Sequence, residues 1–304
     1  MASQDKAGKR RWHEITLAIP GLWSEVLPAF LEERGFSGAW LDEETSPPHR
    51  LILRSYLPEG TWQPTLQEEL EDHLEELSSI FPAGPEKAEV KARLIDEEDW
   101  ATKWVSLFQP FRIGSVWIRP SPKDVQLAPG EQEIVLDPGE AFGTGLHEST
   151  QLCMESVLFL RPFMEDEAPV LDLGTGSGIL AMFAAKVGLA NMLALDIDPV
   201  AVETAKRNIT MNRLERFIQV SNEPLSSVKK RFALILANLS AAIHEGIAEE
   251  IRLHLATDGW LVAGGLLAGE GDALSGAWHA KGLELTHHRT KNDWECLVFR
   301  ARQG

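Results

Sequence analysis

The sequence is poor in cysteine: Cys153 and Cys296 are the only two in 304 residues, and neither has neighbours of the metal-ligand type. That scarcity excludes a disulfide framework and points to a reducing compartment, the cytosol. No apolar run approaches the length needed to cross a bilayer, so no membrane association is expected. The basic start MASQDKAGKRR lacks the apolar core of a signal peptide behind it and reads as a frayed tail. Internal repeats and low-complexity tracts are missing, which excludes a solenoid or a disordered linker protein. Positive charge is short as well, with 29 Lys and Arg against 46 Asp and Glu, a net charge of -17. Such a balance argues against a chain that lives on nucleic-acid phosphates, and leaves a basic partner or a well-solvated surface.

What is present is ordinary globular composition, 44% hydrophobic and 25% charged, in a chain long enough for two domains. The stretch 169–199, PVLDLGTGSGILAMFAAKVGLANMLALDIDP, organises the second of them. An apolar run, Pro169 to Leu173, predicts a strand buried on both faces, and Gly174, Gly176 and Gly178 force a sharp turn. Helical spacing follows over 179–188, then a second apolar strand ending at Asp196-Ile197-Asp198-Pro199. This is a right-handed strand–helix–strand unit, with its glycine turn at the carboxyl end of the first strand, where open α/β sheets bind ligands. The turn can cradle an anionic or zwitterionic group through backbone N–H groups and the helix dipole. Asp196 is placed to accept hydrogen bonds from two ribose hydroxyls. The dinucleotide fingerprint requires glycine where Ile179 stands, so the pattern is D-x-G-x-G-x-G, Asp172 to Gly178, rather than the oxidoreductase form.

Along the chain, strands are predicted over 13–20, 39–43, 50–56 and 88–95, with a helix over 22–34. A second helix carries Leu66, Leu70, Leu74, Leu77 and Phe81 on one face and Glu68, Glu69, Glu71, Asp72, Glu75 and Glu76 around the other. The order βαββαβ is the ferredoxin-like split. Its acidic helix face is either a docking surface for a basic partner or simply solvated. An acidic and tryptophan-rich connector follows, then short strands over 116–119 and 133–136. The motif from Asp137 to Thr150 reads as a glycine-bearing loop with one aromatic, Phe142, and with Ser149 or Thr150 as cap of the next helix; His147 reads as a capping or supporting residue rather than a general base. Helices over 200–213, 242–256 and 273–281 alternate with strands over 217–220, 232–237 and 260–263, and strands over 285–289 and 295–301 end the chain. A seven-stranded, mostly parallel sheet with an antiparallel final strand is expected.

Four motifs together carry a family resemblance: DPGEAFGTGLHEST at 137–150, DLGTGSG at 172–178, DIDP at 196–199 and ANL at 237–239. On them the chain resembles the bacterial ribosomal protein L11 methyltransferase family, PrmA, over nearly its whole length. Leu146 and Ser149 depart mildly from the commonest family forms, and neither removes a group the site needs. The resemblance implies a Rossmann-like, S-adenosylmethionine-dependent methyltransferase domain over 111–304, a ferredoxin-like substrate-recognition domain over 1–96, and a connector over 97–110. It implies cofactor contacts at Thr150, Gly174, Asp196 and Asn238, with Asp172 and Gly176 in the same motif site and Phe142, Gly143 and Thr144 in the loop over the methionine end. Asn238 is the implied catalytic residue, orienting an amine of ribosomal protein L11, either the α-amino group or a lysine. A cytoplasmic monomer without direct nucleic-acid contact is expected. Three readings stand beside this one: a related protein-lysine methyltransferase with another substrate, a nucleotide-dependent oxidoreductase, and a catalytically silent binding module.

Overall fold

A computed structural model describes residues 11–20, 23, 27, 30–31, 34–43, 51–80, 88–96, 109–121, 123–137 and 148–302. The chain divides into two compact units, Met1–Trp104 and Val105–Gly304. Most of the helix predicted over 22–34 and of the connector, as well as the loop segment 138–147, lies outside the described residues.

In the first unit, strands β1 (Arg11–Ile19), β2 (Ser37–Glu43), β3 (Leu51–Pro58) and β4 (Glu89–Asp96) form one sheet in the order β2-β3-β1-β4. Every pairing is antiparallel, the arrangement that a βαββαβ chain generates. Helix α1 (Pro64–Ile80) buries Leu70, Leu74 and Leu77 in a core with Ile15, Leu17, Ile19, Leu53 and Leu57. The leucine stripe therefore does what its helical spacing predicts, and the glutamates of the other face stand exposed.

The second unit opens with a small sheet, β5 (Phe111–Ile113), β6 (Val116–Pro120) and β7 (Gln132–Leu136), in which β6 and β7 run parallel. After α2 (Glu148–Leu160) come β8 (Pro169–Leu173), α3 (Ile179–Lys186), β9 (Asn191–Leu195), α4 (Pro199–Met211), β10 (Ile218–Ser221) and β11 (Phe232–Asn238). The chain continues through α5 (Ala241–Gly246), α6 (Ala248–His254), β12 (Leu255–Leu267), α7 (Glu270–Ala280), β13 (Leu283–Lys291) and β14 (Trp294–Ala301). The large sheet has the order β10-β9-β8-β11-β12-β14-β13. Strands β8 to β12 pair in parallel, and β14 runs antiparallel to both β12 and β13. This is the seven-stranded sheet that the sequence pattern predicts. The order reverses at β8, so the carboxyl ends of β8, β9 and β11 share the edge where a doubly wound sheet holds its ligand.

Three elements differ from expectation, the first being the unpredicted short strand β5, which pairs with β6. The single helix predicted over 242–256 is two short ones, α5 and α6, parted at Ile247 directly after Gly246, a poor helix former. Strand β12 starts five residues earlier than predicted, because Leu255 already pairs with Phe232. One wall of the core holds Phe232, Trp278, Leu283 and Phe299, all fully buried. Truncation of such an aromatic leaves a cavity that the surrounding strands cannot close. Trp278→Ala is expected to lower stability by about 3–5 kcal/mol, read as the midpoint and slope of urea unfolding of the full chain; a loss below about 1 kcal/mol would mean that the site collapses around the missing ring.

Candidate active site

The turn Gly174–Gly178 links β8 to α3, and its shape follows from three left-handed glycines, with φ of 72° at Gly174, 55° at Gly176 and 82° at Gly178. L-residues with side chains rarely adopt such angles. Four of the backbone amides of this turn are engaged within the protein. Those of Gly174 and Thr175 donate to the Leu195 carbonyl at 2.9 and 3.0 Å, and that of Gly178 donates to the Thr175 carbonyl at 2.9 Å. The Gly176 amide donates to Asp196 Oδ2 at 2.9 Å. These four N–H groups therefore already have partners within the protein. The glycines give a surface without side chains, which Leu239 of the neighbouring segment approaches closely at Gly174.

Asp172 lies beneath this turn, 1% exposed. Its Oδ2 accepts the Thr175 hydroxyl at 2.6 Å and the Ala181 amide at 3.1 Å. A carboxylate here satisfies an open amide in the first turn of α3 and favours the helix dipole. Burial pushes its pKa up to about 6, against the lowering effect of those two hydrogen bonds, with the charge of Asp196 adding to the rise. Asp172 thus fastens the turn to the helix from inside. Asp196, by contrast, stands at the end of β9, with Oδ1 accepting the Asp198 amide at 3.0 Å. Two internal bonds leave its carboxylate about two further acceptor positions, enough for a pair of hydroxyls. Its neighbour Ile197 is 86% exposed, an apolar side chain presented beside the acid.

Asn238 ends β11 in register with Gly264 of β12, one residue beyond the pairing of Ala237 with Leu173. Its Nδ2 donates to Thr150 Oγ1 at 3.1 Å, which brings the first turn of α2 to the strand end. Ser149 and Thr150 sit inside α2, which begins at Glu148, so Thr150 serves this bond rather than the helix cap expected of it. Asn238 Oδ1 is buried and has no partner among the described residues. Phe142, Gly143, Thr144 and His147 lie outside the described residues.

The crossing that holds Asn238 in place depends on glycines outside the four motifs as well as on Gly174. A Cβ on Gly174 would fall 2.6 Å from Leu239 Cδ2, and one on Gly265, at φ 78°, would fall 2.6 Å from the Leu239 carbonyl oxygen. Strand β12 shifts register between Ala263 and Leu266, so Gly264 and Gly265 form an irregularity directly against Asn238 and Leu239. The Gly264 carbonyl accepts the Leu239 amide at 3.1 Å and lies 3.0 Å from His244 Nε2. A carbonyl only accepts, which assigns the His244 proton to Nε2. Burial holds the imidazole pKa below its usual value, with the bond to Gly264 working in the opposite direction. The paired glycines in a strand pattern are the sequence signal for a close backbone approach.

The raised pKa of Asp172 has a definite sign. Its folded value near 6 exceeds the unfolded value of about 3.9, so its contribution to stability falls as pH rises from about 4 through about 6. Asn cannot ionise and lacks this slope. Comparing urea unfolding of the parent and Asp172→Asn, the difference is expected to move in favour of the variant by roughly 2–3 kcal/mol between about pH 4 and pH 7. A pH-independent difference would contradict the raised value.

The family profile of the ribosomal protein L11 methyltransferases (PrmA) matches residues 11–302. A ribosomal protein L11 methyltransferase of Geobacter metallireducens is 33% identical over 303 residues, covering 97% of this chain and 99% of the relative. One from Caldicellulosiruptor saccharolyticus is 34% identical, covering 95% and 98%. The crystal structure of a ribosomal protein L11 methylase from Lactobacillus delbrueckii subsp. bulgaricus superposes with a TM-score of 0.59 at 28% identity, covering 64% of this chain and all of that one. Matches of this length and identity, on a sheet whose strand ends gather Gly174, Asp196, Asn238 and Thr150, place the chain in the ribosomal protein L11 methyltransferase family of S-adenosylmethionine-dependent enzymes.

Proposed function

We propose that this chain methylates amines of ribosomal protein L11, both the α-amino group and lysine side chains, with Asn238 orienting the amine. The observation that carries this reading is the buried Asn238 Oδ1, an acceptor with no partner among the described residues at the carboxyl end of β11. Leaving such an acceptor unpaired costs about 1–3 kcal/mol, a penalty removed when a donor arrives. An amine N–H is a donor of the right kind. With Nδ2 donating to Thr150 Oγ1, Oδ1 is the amide atom left for an incoming donor.

The cofactor fits the residues beside it. Asp196 would take the ribose hydroxyls with its remaining acceptor positions, Ile197 would offer the adenine an apolar face, and Gly174 and Gly176 would allow close approach to the backbone. When bound, S-adenosylmethionine supplies a methyl group on an already activated sulfonium. The chain's own residues must then exclude water and align a neutral amine. Holding a lysine of pKa about 10.4 neutral at pH 7 costs roughly 4.6 kcal/mol, against about 1.1 kcal/mol for an α-amine of pKa about 7.8. The α-amine is therefore the easier methyl acceptor; a lysine must first lose its proton, which desolvation favours, and Asn238 would then orient it rather than deprotonate it.

The first unit is assigned the capture of ribosomal protein L11. It forms a core of its own without any of the cofactor or amine residues, all of which lie in the second unit. The exposed acidic face of α1 complements a basic partner. In this reading the enzyme works in the cytoplasm as a monomer and makes no direct contact with nucleic acid.

Two substitutions separate the roles. Asp196→Ala is expected to weaken S-adenosylmethionine binding by roughly 2–4 kcal/mol by calorimetry, since ribose hydroxyls lose a charged acceptor. Asn238→Ala is expected to lower turnover at saturating cofactor far more than it weakens cofactor binding. Collapse of cofactor affinity with turnover intact would make Asn238 a cofactor ligand only.

A further inference from the structure

Asn208 in the last turn of α4 and Asn212, the residue that caps its carboxyl end, stand four residues apart, 0% and 9% exposed, at positions where burial favours apolar side chains. Buried amides persist when their bonds are made, and these reach the end of β7 and, from Asn212 Nδ2, the Asn208 carbonyl at 2.7 Å and Met182 Sδ at 3.4 Å. Asn212 accepts the Val135 amide at 2.8 Å and donates to the Val135 carbonyl at 2.7 Å. Asn208 accepts the Asp137 amide at 3.0 Å. Strand β7 pairs with β6 along one edge, so the two side chains complete its other edge in place of a further strand.

Asn208 does something that Asn212 does not. Its Nδ2 donates to the Ser177 carbonyl at 2.9 Å, inside the glycine turn. A second contact ties the same two elements, since a Cβ on Gly178 would lie 3.3 Å from Ala205 Cβ, one turn before Asn208 on α4. The Ser177 peptide is thereby fixed in orientation, and it adjoins Gly176, whose amide holds Asp196.

We infer that Asn208 is a positioning residue for the cofactor: a single buried amide sets the glycine turn, through Ser177, against α4 and the β7 end at Asp137. Its effect falls on cofactor affinity rather than on the amine step, because Asn238 is held from α2 and β12 instead. This rests on the assignment of the Gly174–Gly178 turn to S-adenosylmethionine, which the affinity of the parent chain tests separately.

Three full-length variants decide the matter, each measured for S-adenosylmethionine affinity by calorimetry, turnover on ribosomal protein L11 and urea midpoint. Asn208→Leu removes both bonds. Asn208→Asp keeps the acceptor for Asp137 and turns a carboxylate oxygen on the Ser177 carbonyl. Asn212→Leu removes only bonds outside the turn. Both Asn208 variants are expected to raise the cofactor dissociation constant by about tenfold or more, with turnover at saturating cofactor within about threefold of the parent. Asn212→Leu is expected to lower the urea midpoint comparably while leaving the dissociation constant within about twofold of the parent. In Asn208→Asp, lowering the pH protonates a buried carboxyl that can then donate to Ser177, so its affinity should recover towards the parent's at the same pH. That recovery also keeps the test sound if Asn208→Leu does not fold. Equal loss of cofactor affinity in Asn212→Leu, or parent-like affinity in Asn208→Asp at high pH, overturns the inference.

Discussion

The close passage of Leu239 past Gly265 and Gly174 is the constraint on which the rest of the site depends. Gly265 meets the Leu239 backbone and Gly174 its side chain. A side chain at Gly265 would force the two segments apart, because its Cβ would fall 2.6 Å from the Leu239 carbonyl oxygen. The meeting brings the end of β11 onto the turn after β8, and so sets Asn238 beside the surface that Gly174 and Gly176 leave open. Sheet order alone would put these elements near one another; the glycines close the remaining distance.

Around that crossing, polar groups are buried in two ways with different consequences. Asp172, His244 and Asn208 are fixed by bonds to backbone groups, and each ties two elements together: β8 to α3, α5 to the irregularity in β12, α4 to the glycine turn. Asn238 is fixed through Thr150, and its Oδ1, like Asp172 Oδ1 and His244 Nδ1 without a partner among the described residues, is the atom of the three at the strand end proposed to meet the substrate amine. The electrostatics agree with this division. Burial raises the pKa of Asp172 and lowers that of His244, so both shifts favour the neutral form beneath the site. Asp196, at the strand end, is the acid left with acceptor positions for a ligand.

Much of the fold is legible in the sequence where a physical period or a turn requirement dictates the residue type. The leucine stripe of α1, the apolar strands β8 and β11, and the glycine turn all follow from spacing and from positive φ. The direction in which Asp172 and Asp196 act is less legible. Motif position groups both as cofactor residues, yet Asp172 is buried under the turn and bonded to α3, a distinction that depends on which way each carboxylate faces. The early start of β12 is hidden because the pairing of Phe232 with Leu255 is a tertiary contact with no local signature, whereas the break between α5 and α6 follows Gly246, a local signal that the helical spacing over 242–256 masks. Asn208 and Asn212 are inconspicuous for the same reason: in sequence they are polar residues of an amphipathic helix, and only the edge of β7 gives them their partners.

The claim that glycine permits the crossing, and that the crossing sets Asn238, is tested most directly by the methyl-transfer rate of Gly265→Ala on ribosomal protein L11 at saturating cofactor. The added Cβ must displace the Leu239 backbone and Asn238 with it. A displacement of about 1 Å at the reacting geometry predicts a loss of roughly a hundredfold in rate, in a variant that retains its folded far-ultraviolet circular dichroism spectrum. A folded variant with a rate within about twofold of the parent would contradict the account.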